Sequence, residues 1–187
     1  MIIIATTPGH LGNLIQFAFW TGMRTSELCA LRWSDINWDK SKISLEKAKN
    51  QYAKEDETTK TISGTRQIKL LSPALDALLK QKELTFKNER HIFLNPFDGL
   101  PWKGDQPIRK AWTIALRKAG VRYRNPYQTR HSYASLMLSA DESLSWISSQ
   151  MGHSTTAQTT TAYARYIDDS LTDAGEKAVE MFTKKRL

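Results

Sequence analysis

Apolar residues at helical spacing occupy most of this chain, and only two short stretches alternate as β-strands do. Residues 10–20 place apolar side chains three and four positions apart, which predicts a buried helix. The alternating stretches, 43–45 and 67–70, are joined by a lysine-rich segment, which predicts a hairpin with a long polar loop. The sequence therefore predicts a mainly α fold with a small antiparallel β-sheet in its first third.

The remaining predicted helices each have a capping or chain-breaking residue at one end. They are a short helix capped by Thr25 or Ser26, a helix from Ser72 with Pro73 in its first turn, helices over 106–119, 129–139 and 143–151, a threonine-rich helix to about residue 166, and a C-terminal tail helix within 168–187. We expect a leucine stripe on the Ser72 helix, made of Leu75, Leu78, Leu79 and Leu84. Residues 33–39 are expected to form a polar turn.

Positive charge is concentrated in one part of the chain. Lys and Arg total 27 against 19 Asp and Glu, a formal net charge of +8. Residues 101–134 contribute most of this excess, since their only acidic residue is Asp105. Their basic residues are Lys103, Arg109, Lys110, Arg117, Lys118, Arg122, Arg124 and Arg130. Such segregation favours a polyanionic partner, most often nucleic acid.

Several function classes lack their required residues. A single cysteine, Cys29, excludes an internal disulfide and a cysteine-based zinc site. The four histidines form no HExxH motif, and the sequence has neither a glycine-rich phosphate loop nor a GxSxG motif. No apolar run approaches the roughly 20 residues of a membrane helix. We therefore expect no metal, no cofactor and no membrane partner, and a cytoplasmic location.

Three segments resemble the conserved boxes of the tyrosine recombinase (phage integrase) family. They are residues 21–37 (TGMRTSELCALRWSDIN), residues 126–134 (PYQTRHSYA) and residues 151–163, which run from Met-Gly-His-Ser to Ala-Tyr. The boxes occur in the family's order and spacing, and the resemblance covers about residues 10–170. It implies the catalytic-domain fold of that family and DNA strand cleavage and rejoining through a 3′-phosphotyrosine. Residues 1–187 are then expected to be a catalytic domain without the N-terminal core-binding domain.

The resemblance also implies a set of catalytic residues. Arg24 and Arg130 are expected to bind the scissile phosphate, since a guanidinium offers a rigid fork of donors to phosphate oxygens. Tyr163 is the expected nucleophile, and His153 is expected to hydrogen-bond a non-bridging oxygen or that nucleophile. Lys60 is the expected general acid for the leaving 5′ oxygen. Within the same box, Glu27 is placed to pair with the first arginine.

Two of these assignments have neighbouring competitors. Lys49 and Lys54 share the loop of Lys60, so it stays open which of these lysines is the general acid. Tyr166 lies three residues after Tyr163, about one helical turn away, and is the alternative nucleophile.

One position departs from the family pattern. The family usually has histidine three residues before the second arginine, whereas this chain has Tyr127. A tyrosine can donate a hydrogen bond to phosphate but is a poor base at neutral pH. Proton removal from Tyr163 is therefore left to His153, to solvent or to the substrate phosphate. His131 also matches the family, and we interpret it as a structural helix residue.

The expected partners follow from the same resemblance. Lys103, Arg109, Arg122 and Arg124 are candidates for contacts with the DNA backbone. We expect double-stranded DNA attachment sites as the substrate and a tetramer of protomers assembled on that DNA. The chain alone is expected to be monomeric. The tail helix is expected to dock on its own domain or on a neighbouring protomer. Phage or prophage DNA integration is the expected role. The alternatives are a type IB topoisomerase-like enzyme and a non-catalytic, helix-based DNA-binding module.

Overall fold

The computed structural model describes residues 2–48, 57–58, 65–87 and 90–163. Lys60, Tyr166 and the expected tail helix lie outside these residues. The described helices are α1 (Ile2–Ala5), α2 (His10–Thr21), α3 (Thr25–Ala30), α4 (Ser72–Thr85), α5 (Asp105–Lys118), α6 (Gln128–Ser139), α7 (Leu144–Met151) and α8 (Thr156–Tyr163). The described strands are β1 (Ile36–Asn37), β2 (Lys42–Leu45), β3 (Lys47–Ala48), β4 (Glu57–Thr58) and β5 (Arg66–Lys69).

The predicted antiparallel hairpin is confirmed and gains a third strand. Strands are ordered β1-β2-β5, with Ile43 opposite Ile36 on one side and Ile68 on the other. A separate pair, β3 with β4, extends the hairpin. The prediction of a polar turn over 33–39 is wrong, because Trp33 and Ile36 are buried in a 3-10 turn and in β1. Two-residue strands are too short to show an alternating pattern.

Helices α2 and α4 pack against each other through small and polar residues. The predicted leucine stripe on α4 is wrong for Leu79 and Leu84, which are 53% and 49% exposed. Leu78 is buried and Leu75 packs against the core. The buried face of α4 instead consists of Ala74, Ala77, Leu78, Gln81 and Thr85. Asn13 Nδ2 donates to Gln81 Oε1 at 3.0 Å across this contact. The alanines permit close approach of the backbones, and the buried Gln81 amide is satisfied because its Nε2 also donates to the Ile92 carbonyl at 2.8 Å.

Two helix ends next to the later site depend on glycine. Gly22 ends α2 and Gly152 ends α7, both in the left-handed conformation with φ of 61° and 66°. A Cβ on Gly22 would lie 2.5 Å from Cδ1 of Tyr133, so there is no room for a side chain at this position. The N-cap of α3 is Arg24 rather than Thr25 or Ser26, because the Glu27 carboxylate accepts the Arg24 backbone N–H at 2.7 Å.

Buried apolar residues form two clusters that meet near these helix ends. The larger cluster joins α2, α3, the three-stranded sheet, α4 and α5, and it includes Trp102 and Trp112 as expected. The smaller cluster joins α6, α7 and α8 and includes Tyr133, Met151 and Tyr163. Among the described residues, no helix has both the length and the apolar character needed to cross a membrane.

Candidate active site

Arg130 connects the three motif segments. It lies in the first turn of α6 and is only 1% exposed. Its Nη1 donates to the Gly22 carbonyl and its Nη2 to the Met151 carbonyl, both at 2.6 Å. Arg24 reaches the same turn, where its Nη2 donates to the Gly152 carbonyl at 2.9 Å. Two guanidinium groups far apart in sequence are thus held against one turn.

A buried carboxylate holds Arg24 from the opposite side. Glu27 is 2% exposed, and its Oε1 accepts from Arg24 Nη1 at 2.8 Å. The same Oε1 accepts from Arg66 Nη1 at 2.9 Å, and Glu27 Oε2 accepts from Arg66 Nη2 at 3.0 Å. Burial alone would raise the pKa of the Glu27 carboxyl, but Arg66 and Arg24 together hold that pKa below its usual value. Glu27 therefore stays ionised and fixes both arginines.

Arg66 is a site component that sequence reasoning missed. It begins β5, and besides binding Glu27 it donates from Nε to the Gln150 carbonyl at 2.7 Å. The Gln150 side chain in turn accepts from the Lys69 backbone N–H at 2.8 Å. These contacts tie the sheet to the C-terminal end of α7. Nothing in the sequence distinguishes Arg66 from the other cations of its loop, because its partners lie far away in the chain.

The arginine cluster has spare capacity for an anion. Burial and the nearby charge of Arg24 lower the pKa of Arg130 to about 10, so its guanidinium remains charged at neutral pH. Among the described residues, Arg130 Nε is buried and has no hydrogen-bond partner. A buried cation with an unused donor is suited to binding a negatively charged oxygen.

His153 lies in the turn between α7 and α8, next to these arginines. Its Nδ1 is 2.7 Å from Thr159 Oγ1. Burial, reinforced by the positive charges of Arg130 and Arg24, lowers the pKa of His153 to about 4. His153 is therefore neutral at physiological pH, and its ring can donate from only one nitrogen.

Tyr163, the last residue of α8, forms a hydrogen bond with His131. The Tyr163 hydroxyl lies 2.7 Å from His131 Nδ1, and Tyr163 is 3% exposed. Burial and the charge of Arg130 lower the pKa of His131, so the imidazole is neutral near pH 7. His131 was interpreted from the sequence as a structural helix residue, and the structure adds its contact with the Tyr163 hydroxyl. One position beyond Arg130 on α6, its side chain turns toward α8.

Tyr127 lies at the edge of this arrangement. It is the N-cap of α6 and is 41% exposed. Its ring stands edge-on to His131, with centroids 5.2 Å apart. On its other side it lines a groove of about 240 Å³ together with Arg109. Tyr127 therefore borders both the imidazole of His131 and the basic surface.

The four expected DNA-contacting residues are all exposed. Lys103 precedes α5, Arg109 lies on α5, and Arg122 and Arg124 lie in the segment that follows it. That segment is anchored by Trp112, whose Nε1 donates to the Arg124 carbonyl at 2.6 Å. Of these residues, Arg109 shares a groove with Tyr127. Lys60 lies outside the described residues, so its position relative to the site stays a prediction.

The sequence is similar to that of known recombinases. A family model described as "Phage integrase family" matches residues 3–169. A prophage integrase IntR of Escherichia coli K12 is 32% identical over 192 residues, covering 89% of this chain and 46% of that protein. A tyrosine recombinase XerC-like protein of Caldanaerobacter subterraneus is 27% identical, covering 93% of this chain and 50% of that protein. The chain spans about half the length of the curated relatives it matches.

Solved structures confirm the expected fold class. The XerA recombinase superposes with a TM-score of 0.69 at 20% identity, covering 100% of this chain and 62% of that one. The Tn1549 transposon integrase, in complex with a circular intermediate DNA, gives 0.71 at 17% identity and covers 91% and 58%. At these identities the likeness establishes the fold, which is mainly α with a small antiparallel sheet.

Proposed function

Because the chain belongs to the phage integrase family, we propose that it is the strand-cleaving part of a tyrosine-type site-specific recombinase. Its substrate is double-stranded DNA carrying an attachment site, and its role is the integration of phage or prophage DNA in the cytoplasm of a bacterial host. The main support is the arrangement of Arg130, whose guanidinium binds the carbonyls of Gly22 and Met151 and so brings three distant segments together.

The chemistry fits the needs of phosphodiester cleavage. Negative charge develops on the phosphoryl oxygens during the displacement, so catalysis depends on positioning and on fixed positive charge. Arg24 and Arg130 supply that charge, and Glu27 and the main-chain carbonyls hold their guanidinium groups in place. The neutral ring of His153 donates a further hydrogen bond to a non-bridging oxygen.

The reaction proceeds by exchange of one phosphoester for another. The Tyr163 oxygen attacks phosphorus, the bond to the 5′ oxygen breaks, and a 3′-phosphotyrosine forms. Lys60 donates the proton that the leaving 5′ oxygen takes up. The released 5′-hydroxyl of a partner duplex later attacks the phosphotyrosine and regenerates Tyr163. Because each step replaces one phosphoester with another, rejoining needs no nucleotide hydrolysis.

DNA binding and assembly complete the proposal. The exposed cations Lys103, Arg109, Arg122 and Arg124 contact the DNA backbone, which sets affinity and register without reading the base sequence. Protomers act as a tetramer on DNA, while the chain alone is monomeric. The segment 168–187 docks as a helix on its own or a neighbouring domain.

A covalent-trapping experiment tests the proposed activity. The chain is incubated in EDTA with a library of duplexes that carry a nick beside a randomised region, so that the cleaved end diffuses away. Wild-type protein should form an adduct that survives denaturation, and Tyr163→Phe should form none. Tyr166→Phe is the matched control, because it removes the same hydroxyl three residues later and should leave the adduct intact.

The recovered DNA separates the alternatives. A recombinase should enrich a common sequence among the trapped duplexes, whereas a type IB topoisomerase-like enzyme should trap them without preference. A non-catalytic DNA-binding module should shift the duplexes in a gel yet give no adduct. Peptide mapping that places the DNA on a residue other than Tyr163 would contradict the assignment of the nucleophile.

A further inference from the structure

We propose that His131 is the proton acceptor for the nucleophilic hydroxyl of Tyr163, in place of the histidine that Tyr127 replaces. The inference deepens the proposed function and rests on it, since it concerns the same cleavage step. It assigns His131 a catalytic role, because its imidazole contacts a reacting atom.

The geometry of the contact supports this assignment. His131 projects from α6 and Tyr163 from the end of α8, and the 2.7 Å separation of Nδ1 and the hydroxyl lies within hydrogen-bond range. The two ring centroids are 5.7 Å apart. A general base must lie within hydrogen-bond reach of the proton that it removes, and His131 meets that condition. The Nδ1 of His153 is instead 2.7 Å from Thr159 Oγ1.

The surroundings keep the imidazole of His131 available as a base. Its charged neighbour on α6 is Arg130, and His153 lies across from it in the turn after α7. Helix α7 itself has no titratable side chain, α8 contributes Tyr163, and α2 contributes only His10, at the end of α2 away from Gly22. Burial and Arg130 lower the pKa of His131, so the imidazole is neutral at pH 7 and carries a single N–H. With that proton on Nε2, Nδ1 has a free lone pair and can accept the proton of the Tyr163 hydroxyl.

Tyr127 supports the imidazole rather than taking over its role. Its ring stands edge-on to His131 at 5.2 Å between centroids, which limits the directions in which the imidazole can turn. A phenol at this position is a poor proton acceptor at neutral pH. Replacement of the usual histidine therefore moves proton acceptance from one end of the α6 first turn to the residue after Arg130.

The proton balance of the step is complete. As the Tyr163 oxygen forms its bond to phosphorus, its proton moves to His131 Nδ1, and the phosphorus–5′ oxygen bond breaks. The 5′ oxygen receives its proton from the separate acid, Lys60 in the proposed function. The resulting imidazolium is stabilised by the negative charge that has developed on the phosphoryl group, and it returns the proton to Tyr163 during rejoining.

Two substitutions separate proton acceptance from positioning. His131→Ala removes the side chain, whereas His131→Asn retains a polar group near the place of Nδ1 that can hold the hydroxyl but cannot take its proton. Single-turnover cleavage of a trapped duplex should fall on the order of 10²-fold or more in both variants. Ser135→Ala is the matched control. Ser135 lies on α6 and lines, with His131 and Tyr163, a groove of about 590 Å³, and its loss should leave the rate unchanged.

The pH profile and the leaving group give independent readouts. Wild-type cleavage should decline in acid as His131 becomes protonated, and this limb should be absent in His131→Asn. A substrate with sulfur in place of the 5′ oxygen needs no acid, so it should restore cleavage to Lys60→Ala but not to either His131 variant. Restoration of the His131 variants by sulfur would show that His131 is an acid, and would overturn the proposal.

The outcomes distinguish this inference from the function on which it rests. A rate for His131→Asn within threefold of wild type would show that positioning suffices and would overturn the proposal. Equal DNA affinity and melting temperature among the variants exclude misfolding as the cause of a slow rate. An adduct formed by Tyr163→Phe would instead refute the proposed nucleophile itself, whatever the His131 variants do.

Discussion

Glu27→Gln is the substitution whose effect follows most directly from the structure. Glu27 is 2% exposed and Arg66 is 7% exposed at its side chain, so their contact is a buried ion pair. The glutamine has nearly the same volume, but it has no negative charge. One of the two carboxylate oxygens that accept from Arg66 is replaced by an NH₂ group, which is a donor. Breaking a buried pair by changing one partner costs about 3–5 kcal/mol. For a chain of 187 residues, this corresponds to a fall in melting temperature of about 6–20 °C.

Thermal unfolding followed by circular dichroism measures this loss. The control is Glu83→Gln, which makes the same chemical change at an exposed position of α4 and should alter stability by less than about 0.5 kcal/mol. Introducing Arg66→Met into the wild type and into Glu27→Gln completes a double-mutant cycle. Residues in contact have coupling energies of about 0.5–3 kcal/mol in such cycles. A melting temperature for Glu27→Gln within 2 °C of wild type (about 1 kcal/mol or less) would refute the reasoning.

The acid dependence provides a second check on the same pair. The pKa of Glu27 is lowered in the folded chain, so its stabilising effect is present above the pKa of the unfolded state, about 4.3. That effect is lost as the pH falls through the folded-state pKa. The difference in melting temperature between wild type and Glu27→Gln should therefore shrink in strong acid, and a difference that grows there would contradict the assignment.

Four further expectations concern the site and its supports. Gly22→Ala should destabilise the chain by about 1–3 kcal/mol in denaturant unfolding, because its Cβ meets the Tyr133 ring and its φ is positive. Arg130→Lys should cleave at least about tenfold more slowly with near-normal DNA binding, since a point charge cannot replace two directed donors. Tyr127→Phe should slow single-turnover cleavage by roughly 10-fold or more if its hydroxyl donates to phosphate, and equal rates would limit its role to packing. The NMR chemical shifts of the His153 ring should be those of a neutral imidazole until about pH 4. The free energy of unfolding should decline as the pH falls from 6.5 toward that value, because the histidine is protonated at higher pH in the unfolded chain than in the folded one.

Glycine and the apolar periodicity predicted the helix boundaries better than they predicted which helix face is buried. Glycine at the ends of α2, α5 and α7 placed those boundaries to within about two residues, because a left-handed residue ends a helix irrespective of tertiary context. The buried face of α4 was missed because hydropathy ranks Leu79 above Gln81. Packing against α2 favours a small, hydrogen-bonded surface instead.

The candidate site was predictable in composition but not in its connections. Arg24, Arg130 and His153 were identified from motif residues, and the structure places them around one turn. The contacts of Arg66 with Glu27 and of His131 with Tyr163 span 39 and 32 residues. Such pairings depend on how elements pack, and a single sequence carries no periodic or spacing signal for them.

The turn after α7 holds both arginines through main-chain oxygens, at Met151 and Gly152. A carbonyl is present whatever the side chain, so the turn can diversify in sequence without losing either contact. It cannot change in length, because inserting or deleting one residue would displace both acceptors from their guanidinium groups and α8 from its register. Among natural variants and in directed-evolution libraries, this stretch should therefore accept substitutions while rejecting insertions and deletions, with Gly152 restricted further by its positive φ.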